Sequence, residues 1–374
     1  MKKLLALAAC LALATVAFTG CGFPSCGGET AVSEIMRVKP WANNNNYEKS
    51  TYEVKRYAAS INEDGAAAVD EDTVLAEGTY TTETITFGTD ISASERFTEI
   101  ADSIPYVAEH IAPAVTDKAN GSISHAPGAY SAVRTTLSLT YTDKADAAYA
   151  GKTDTMESTV LVRNINMMPV FSHKTAELTT SGIVYESVAD YLNSVNVYTQ
   201  DDGDEVRTEI EENFDNEELL SLVRAQSGVQ AGLSTSFEIH NSVETGVYGK
   251  EAVNTLAVSV TTGATLSGID PEDAFVTEYL GEDSVEYFAE DTTDENGNEI
   301  SAGYSFPANQ VTISRTDENR GTSTTVNFSD VDFGYYGNTM TNVMLSMWTY
   351  EMDPEEKVID NFTTYTITDY TINE

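Results

Sequence analysis

Cysteine is scarce in this chain: Cys10, Cys21 and Cys26 are its only three in 374 residues. Basic residues are also few, 20 Lys and Arg against 60 Asp and Glu, for a net charge of −40. Histidine occurs four times and tryptophan twice. Each shortage excludes something. Three thiols cannot make a disulfide framework or a cysteine-rich metal centre, so a chain of this length must fold on its hydrophobic core. A field this acidic repels phosphate backbones, which excludes nucleic acid as a partner, and it repels anionic lipid headgroups. His110, His125, His173 and His240 lie in unrelated contexts, none at ligand spacing from another, and read as surface or strand residues. GxSxG, SxxK, HExxH, GxGxxG and Walker motifs are all missing. Among 60 acids any carboxylate pair chosen for glycoside hydrolysis is uninformative. The chain reads as non-catalytic, with no cofactor.

One long apolar run is present, "LLALAACLALATVAF" from Leu4 to Phe18, preceded by Lys2 and Lys3. It falls short of the roughly 20 residues that span a bilayer and reads as an export signal over residues 1–20. Phe18-Thr19-Gly20-Cys21 resembles the bacterial lipobox, with Phe18 where Leu is usual. The resemblance implies that Cys21 is acylated on sulfur and becomes the new N-terminus, anchoring an extracytoplasmic protein to the bacterial cell membrane. The competing reading is an ordinary small-residue cleavage site with Cys21 incidental. Removal of Lys2 and Lys3 leaves 18 basic against 60 acidic residues, a net charge of −42. With Cys10 removed and Cys21 lipidated, Cys26 remains as the single thiol, which closes no intrachain disulfide.

Residues 21–48 are rich in Gly, Pro, Ser and Asn and read as a flexible spacer. Residues 49–374 read as a β-rich extracytoplasmic region, either one domain or two subdomains. Its dominant signal is period two. In "SAVRTTLSLTYTD", Val133, Thr135, Leu137, Leu139 and Tyr141 share one face, and Arg134, Thr136, Ser138 and Thr140 share the other. Residues 158–163, 195–199, 256–260, 310–315, 342–350 and 362–368 alternate similarly. Asp202-Gly203, Asn296-Gly297 and the turn ending at Gly321 predict hairpins. Together they predict a mainly antiparallel sheet.

Two stretches predict helix. Asp215 and Glu218 have the spacing of a capping box before Leu219, Leu220, Leu222 and Val223, with Phe214 placed to staple and Gly228 to end the helix. The second, "SERFTEIADSIPYVAEHIAPAV", is interrupted by Pro105. Calcium is the one metal weighed. Asp294, Asn296 and Asn298 alternate, but Glu299 stands where the calcium loop needs glycine, so a hairpin tip is favoured.

The segments "TMESTVLVRNINMMPVFSHKTAEL" and "FDNEELLSLVRA" read as a strand pair turning at Pro169 and a capped helix laid across a sheet. They resemble bacterial envelope lipoproteins with a curved, half-open β-barrel, similar in architecture to carriers of the LolA and LppX type. The resemblance implies a concave apolar face covered by one or two short helices and holding a lipid or another hydrophobic molecule. It carries over no functional residue. From the residues themselves, the lining of such a site would be Leu219, Leu222, Val223, Met344 and Met347, because the Met-rich last strands supply adaptable side chains. The alternative is a structural or adhesive envelope module that binds protein or glycan through its loops, to which the 20 tyrosines are suited.

Overall fold

The computed structural model describes residues 47–61, 67–121, 123–164, 167–201, 203–211, 214–220, 234–269, 280, 285–293, 299–316, 321–331, 333–335, 338–340, 342–353 and 358–373. Its strands run in order β1 (Tyr47–Ile61), β2 (Ala67–Thr86), β3 (Tyr130–Tyr141), β4 (Thr153–Arg163), β5 (Pro169–Leu178), β6 (Ile183–Asp190), β7 (Val195–Gln200) and β8 (Val206–Glu209). There follow β9 (Phe214–Asp215), β10 (Ser234–His240), β11 (Val253–Ile269), β12 (Glu286–Phe288), β13 (Thr292–Thr293), β14 (Glu299–Ile300) and β15 (Gly303–Thr316). The last are β16 (Gly321–Ser329), β17 (Phe333–Tyr335), β18 (Asn338–Met340), β19 (Met344–Asp353) and β20 (Val358–Asn373). The described helices are α1 (Glu95–Asp102), α2 (Ala112–Thr116) and α3 (Ser242–Tyr248).

Sixteen strands form one sheet. β1 to β8 are a meander, each strand antiparallel to the one before. From the other edge of β1 the sheet continues through β20, β19, β16, β15, β11, β10 and β9, and among the described residues only β9 with β10 is parallel. The terminal strands β8 and β9 are not paired with each other among the described residues. The antiparallel sheet expected from the alternating residues is therefore present as one large, curved, unclosed sheet.

Its curvature follows from the core. Tyr52 and Val54 of β1, Val160 of β4, Ile239 of β10, Val258 of β11, Phe306 of β15, Phe328 of β16 and Ile367 of β20 belong to one buried cluster. Side chains from strands so far apart in the sheet meet only when one face curls around them. The Tyr52 hydroxyl reaches past β20 to donate to the Met344 carbonyl of β19 at 3.1 Å. β3 follows its predicted alternation: Leu139 is buried and Arg134, Thr136 and Thr140 are exposed.

The opposite face is covered where β2 to β6 meet the helices. Phe97, Ile100, Val107, Ile111 and Val115 pack with Ala132, Leu161, Phe171 and Val188 in a second core. Ser94 caps α1 by accepting from the Phe97 N–H at 3.2 Å. Pro105 parts α1 from a π-helical turn at Val107–Ile111 that leads into α2.

Hairpins were expected in three places, and β7–β8, β13–β14 and β15–β16 are paired there. The tips at 294–298 and 317–320 lie outside the described residues, and with them Asp294, Asn296, Gly297 and Asn298. At the β7–β8 turn Asp201 takes the left-handed conformation, with φ 52°. Gly203 is required for a different reason, since a Cβ there would lie 2.8 Å from the Gln200 carbonyl oxygen. β1 and β2 carried no sequence expectation. β2 mixes Asp and Glu into its alternation, and its inward Ala76 and Tyr80 share a core with Tyr52 and Leu139 and with Tyr365 and Ile367 from the far end of the chain.

Candidate functional site

The site lies at one end of the sheet's interior, under a short turn. Asp215 is the N-cap of a 3-10 turn, Asn216–Glu218. Its Oδ1 accepts from the Glu217 N–H at 2.8 Å, and Glu218 Oε1 accepts from the Asp215 N–H at 3.1 Å. This is the capping box that the spacing predicted, and it directs Leu219 and Leu220 onto the main core. Residues 221–233 lie outside the described residues, so of the candidate lining residues Leu222 and Val223 are not placed. Cys21 also lies outside.

Beneath the turn is a cavity of about 40 Å³ lined by Glu48, Ser50, Tyr52, Tyr80, Thr82, Thr84, Val133, Thr135, Glu217, Leu220, Phe328 and Met344. Every second residue of β1, from Glu48 to Tyr52, faces it, and so does every second residue of β2, from Tyr80 to Thr84. The wall is therefore amphipathic, with four hydroxyl side chains beside aromatic and aliphatic ones. Such a volume accommodates about three waters, far less than an acyl chain. Of the proposed lining residues, Met344 reaches this cavity, Leu219 packs partly buried on the core, and Met347 is buried within that core.

Electrostatics hold the turn in place. Lys174 of β5 pairs with Glu217 at 2.5 Å, both side chains being largely buried. Burial alone pushes the Lys174 ammonium down, but the Glu217 carboxylate outweighs it and holds the pKa above the ordinary lysine value. Burial, reinforced by Tyr365 and Tyr52, pushes the Tyr80 phenol far up. Among the lining residues, Glu48 is fixed by the buried Tyr370 hydroxyl, which donates to its Oε1 at 2.7 Å.

Behind the turn, the sheet's two ends meet through fully buried polar side chains. Tyr191, in the β6–β7 turn, has its hydroxyl 2.6 Å from Asp215 Oδ2 and 2.7 Å from His240 Nδ1. His240 Nε2 lies 3.0 Å from Thr245 Oγ1, which accepts the Ala252 N–H at 2.9 Å. α3 is docked here because Asn196 of β7 donates to the Ser242 carbonyl at 2.9 Å. His240 was expected at the surface or in a strand; it ends β10 and is fully buried. Sequence reasoning had no signal for Tyr191 or Thr245, because neither lies near Asp215 along the chain.

No protein-family profile matches the chain, and no curated protein matches it. Among solved structures it is similar to a β-barrel-like protein of domain of unknown function DUF1849 from Brucella abortus, at 10% identity. That match covers 89% of this chain and 100% of the other, with a TM-score of 0.43.

Proposed function

We propose that this is an exported lipoprotein, anchored through Cys21, whose barrel-like sheet binds an amphiphilic guest beneath the 214–220 turn without covalent catalysis. The observation that carries the reading is the amphipathic cavity beneath the 214–220 turn. Ser50, Thr82, Thr84 and Thr135 offer hydroxyls to a polar group, while Tyr52, Phe328, Met344 and Leu220 offer an apolar wall. A cavity of about 40 Å³ means that the guest enters when the turn lifts. Leu222 and Val223, in the segment that follows the turn, and Leu219 would then contribute to the lining, with Met347 behind Met344. The lipid-anchored location supplies amphiphiles at high local concentration.

The test uses the full chain carrying Cys21→Ser, purified without detergent and subjected to organic extraction and lipid mass spectrometry. A stoichiometric lipid, lost in Leu220→Asp with the fold retained by circular dichroism, is the expected result. A well-folded, lipid-free protein overturns it.

A second reading is a structural or adhesive module that binds protein or glycan through surface loops. It is favoured by the burial of Met344 and Met347 as members of the main core. Retention of the chain on cell-wall glycan, together with a lipid-free interior, is the outcome that selects it.

A further inference from the structure

The buried contacts behind the turn can be ordered by counting protons. Thr245 Oγ1 receives the Ala252 N–H, and its single hydroxyl proton can point at His240 Nε2. Tyr191 also has one hydroxyl proton and two partners, Asp215 Oδ2 and His240 Nδ1. An ionised Asp215 only accepts, so it takes the tyrosine proton. Tyr191 oxygen must then accept from His240, which fixes the Nδ1–H tautomer and leaves Nε2 to accept from Thr245. With Asp215 ionised, every donor in the set has one acceptor, and the chain runs from Thr245 through His240 and Tyr191 to Asp215.

A proton on Asp215 Oδ2 reverses every link. The acid donates to the Tyr191 oxygen, Tyr191 donates to His240 Nδ1, and His240 carries its proton on Nε2, pointing at Thr245. The Thr245 hydroxyl turns to the Asn241 carbonyl one turn back, the usual acceptor for a helical threonine. The count balances: three mobile protons become four, and the added one comes from solvent. Asp215 Oδ1 remains an acceptor, so the Glu217 N–H cap survives.

We propose that Asp215, Tyr191, His240 and Thr245 form a reversible hydrogen-bond chain that latches the 214–220 turn over the interior, and that one proton on Asp215 both reverses the chain and tightens the latch. The tightening follows from burial. Asp215 is fully enclosed, and a carboxylate charge there is stabilised by opening to water, whereas the neutral acid is not. The chain crosses the seam, joining the β6–β7 turn to β9, β10 and α3, so it acts where the sheet is unclosed.

The surrounding charges agree. Burial, then the Glu217 carboxylate, pushes Asp215 up to about 6. Burial, then Asp215, pushes the fully enclosed Glu218 well above its ordinary value. Burial pushes His240 down to about 4, which keeps it neutral while Asp215 titrates. Glu217 is paired with Lys174 of β5, and Glu251, ahead of β11, adds negative charge that helps hold the Tyr191 proton in place. Asp190, beside Tyr191, accepts from Leu192, Asn193 and Tyr106 and fixes the corner that carries Tyr191. That the latch controls a guest rests on the proposed function; the latch itself does not.

The experiment is nitrogen-15 NMR of histidine tautomers in the guest-free full chain carrying Cys21→Ser, with His240 identified by its loss in His240→Gln. Hydrogen exchange of residues 216–220, corrected for intrinsic rate, is followed on the same protein. The expected result is an Nδ1–H tautomer at neutral pH that becomes Nε2–H near pH 6, with protection of the turn rising about tenfold or more below that midpoint. Asp215→Asn, whose amide can donate to Tyr191, should hold the Nε2–H form throughout the range in which His240 is neutral, above about pH 4. Tyr191→Phe, which leaves Asp215 and His240 in place, should uncouple the tautomer from pH. A His240 that keeps one tautomer throughout, or a turn whose protection falls on acidification, overturns the proposal. Because no guest is present, neither result depends on the lipid extraction.

Discussion

Lys174 of β5 and Glu217 of the capping turn pair at 2.5 Å, across the gap between the meander and the turn that covers the interior. Their residues are 43 apart in the chain, and neither strand pairing nor helix periodicity brings them together. Breaking such a pair strands one charge in a poorly hydrated place, which typically costs about 3 kcal/mol. Lys174→Met should therefore lower the urea midpoint substantially. Lys174→Met combined with Glu217→Leu should recover most of that loss, since no lone charge remains. An additive double variant would show that the pair itself contributes little coupling.

Gly246 of α3 lies on the Tyr198 ring of β7, and a Cβ at 246 would fall 2.1 Å from Tyr198 Cγ. Alanine gains about 1 kcal/mol of helix propensity over glycine, but overpacking typically costs about 1–3 kcal/mol. The clash involves the inner atoms of the tyrosine, which cannot swing aside, so Gly246→Ala should lower Tm. Gly121→Ala, where nothing lies within 4 Å, is the matched control and should leave Tm nearly unchanged.

Asp215 and His240 make opposing contributions to the pH dependence of stability. Asp215 is raised from 3.8 to about 6 in the fold. The folded chain thus binds its proton more readily than the unfolded one, and this contribution falls as pH rises from about 4 to about 6. His240 is lowered from 6.5 to about 4, so the folded chain binds that proton less readily. Its contribution rises with pH over nearly the same window. Each is worth about 3 kcal/mol at its limit, and in the parent they largely cancel. Urea unfolding across this range should show Asp215→Asn gaining stability relative to the parent as pH rises, and His240→Gln losing it. Pairs of curves that stay parallel would refute the assignment.

Cys21 is the proposed anchor. Metabolic labelling with a fatty-acid analogue should mark the wild-type chain in the membrane fraction, and Cys21→Ser should be unlabelled and leave that fraction. Label that persists in Cys21→Ser would locate the modification elsewhere.

What could be read along the chain was local. The alternation of β3 needs only a pleated backbone with one wet face, so Leu139 in and Arg134 out were legible before any partner was known. The Asp215–Glu218 capping box closes within four residues and was equally legible. Cys21 and the apolar run before it belong to the same class of signal. The tertiary structure decided whatever depends on curvature. It brought side chains of β1, β4, β10, β11, β15, β16 and β20 into one core, placed Met344 beside Tyr52, and left a cavity of about 40 Å³ beneath the 214–220 turn. It also brought Tyr191, Asp215, His240 and Thr245 together from four segments of the chain. Period and spacing report a residue's own element; which buried polar groups satisfy one another is settled only when the ends of the sheet meet, because hydrogen bonds act over about 3 Å and not along the sequence.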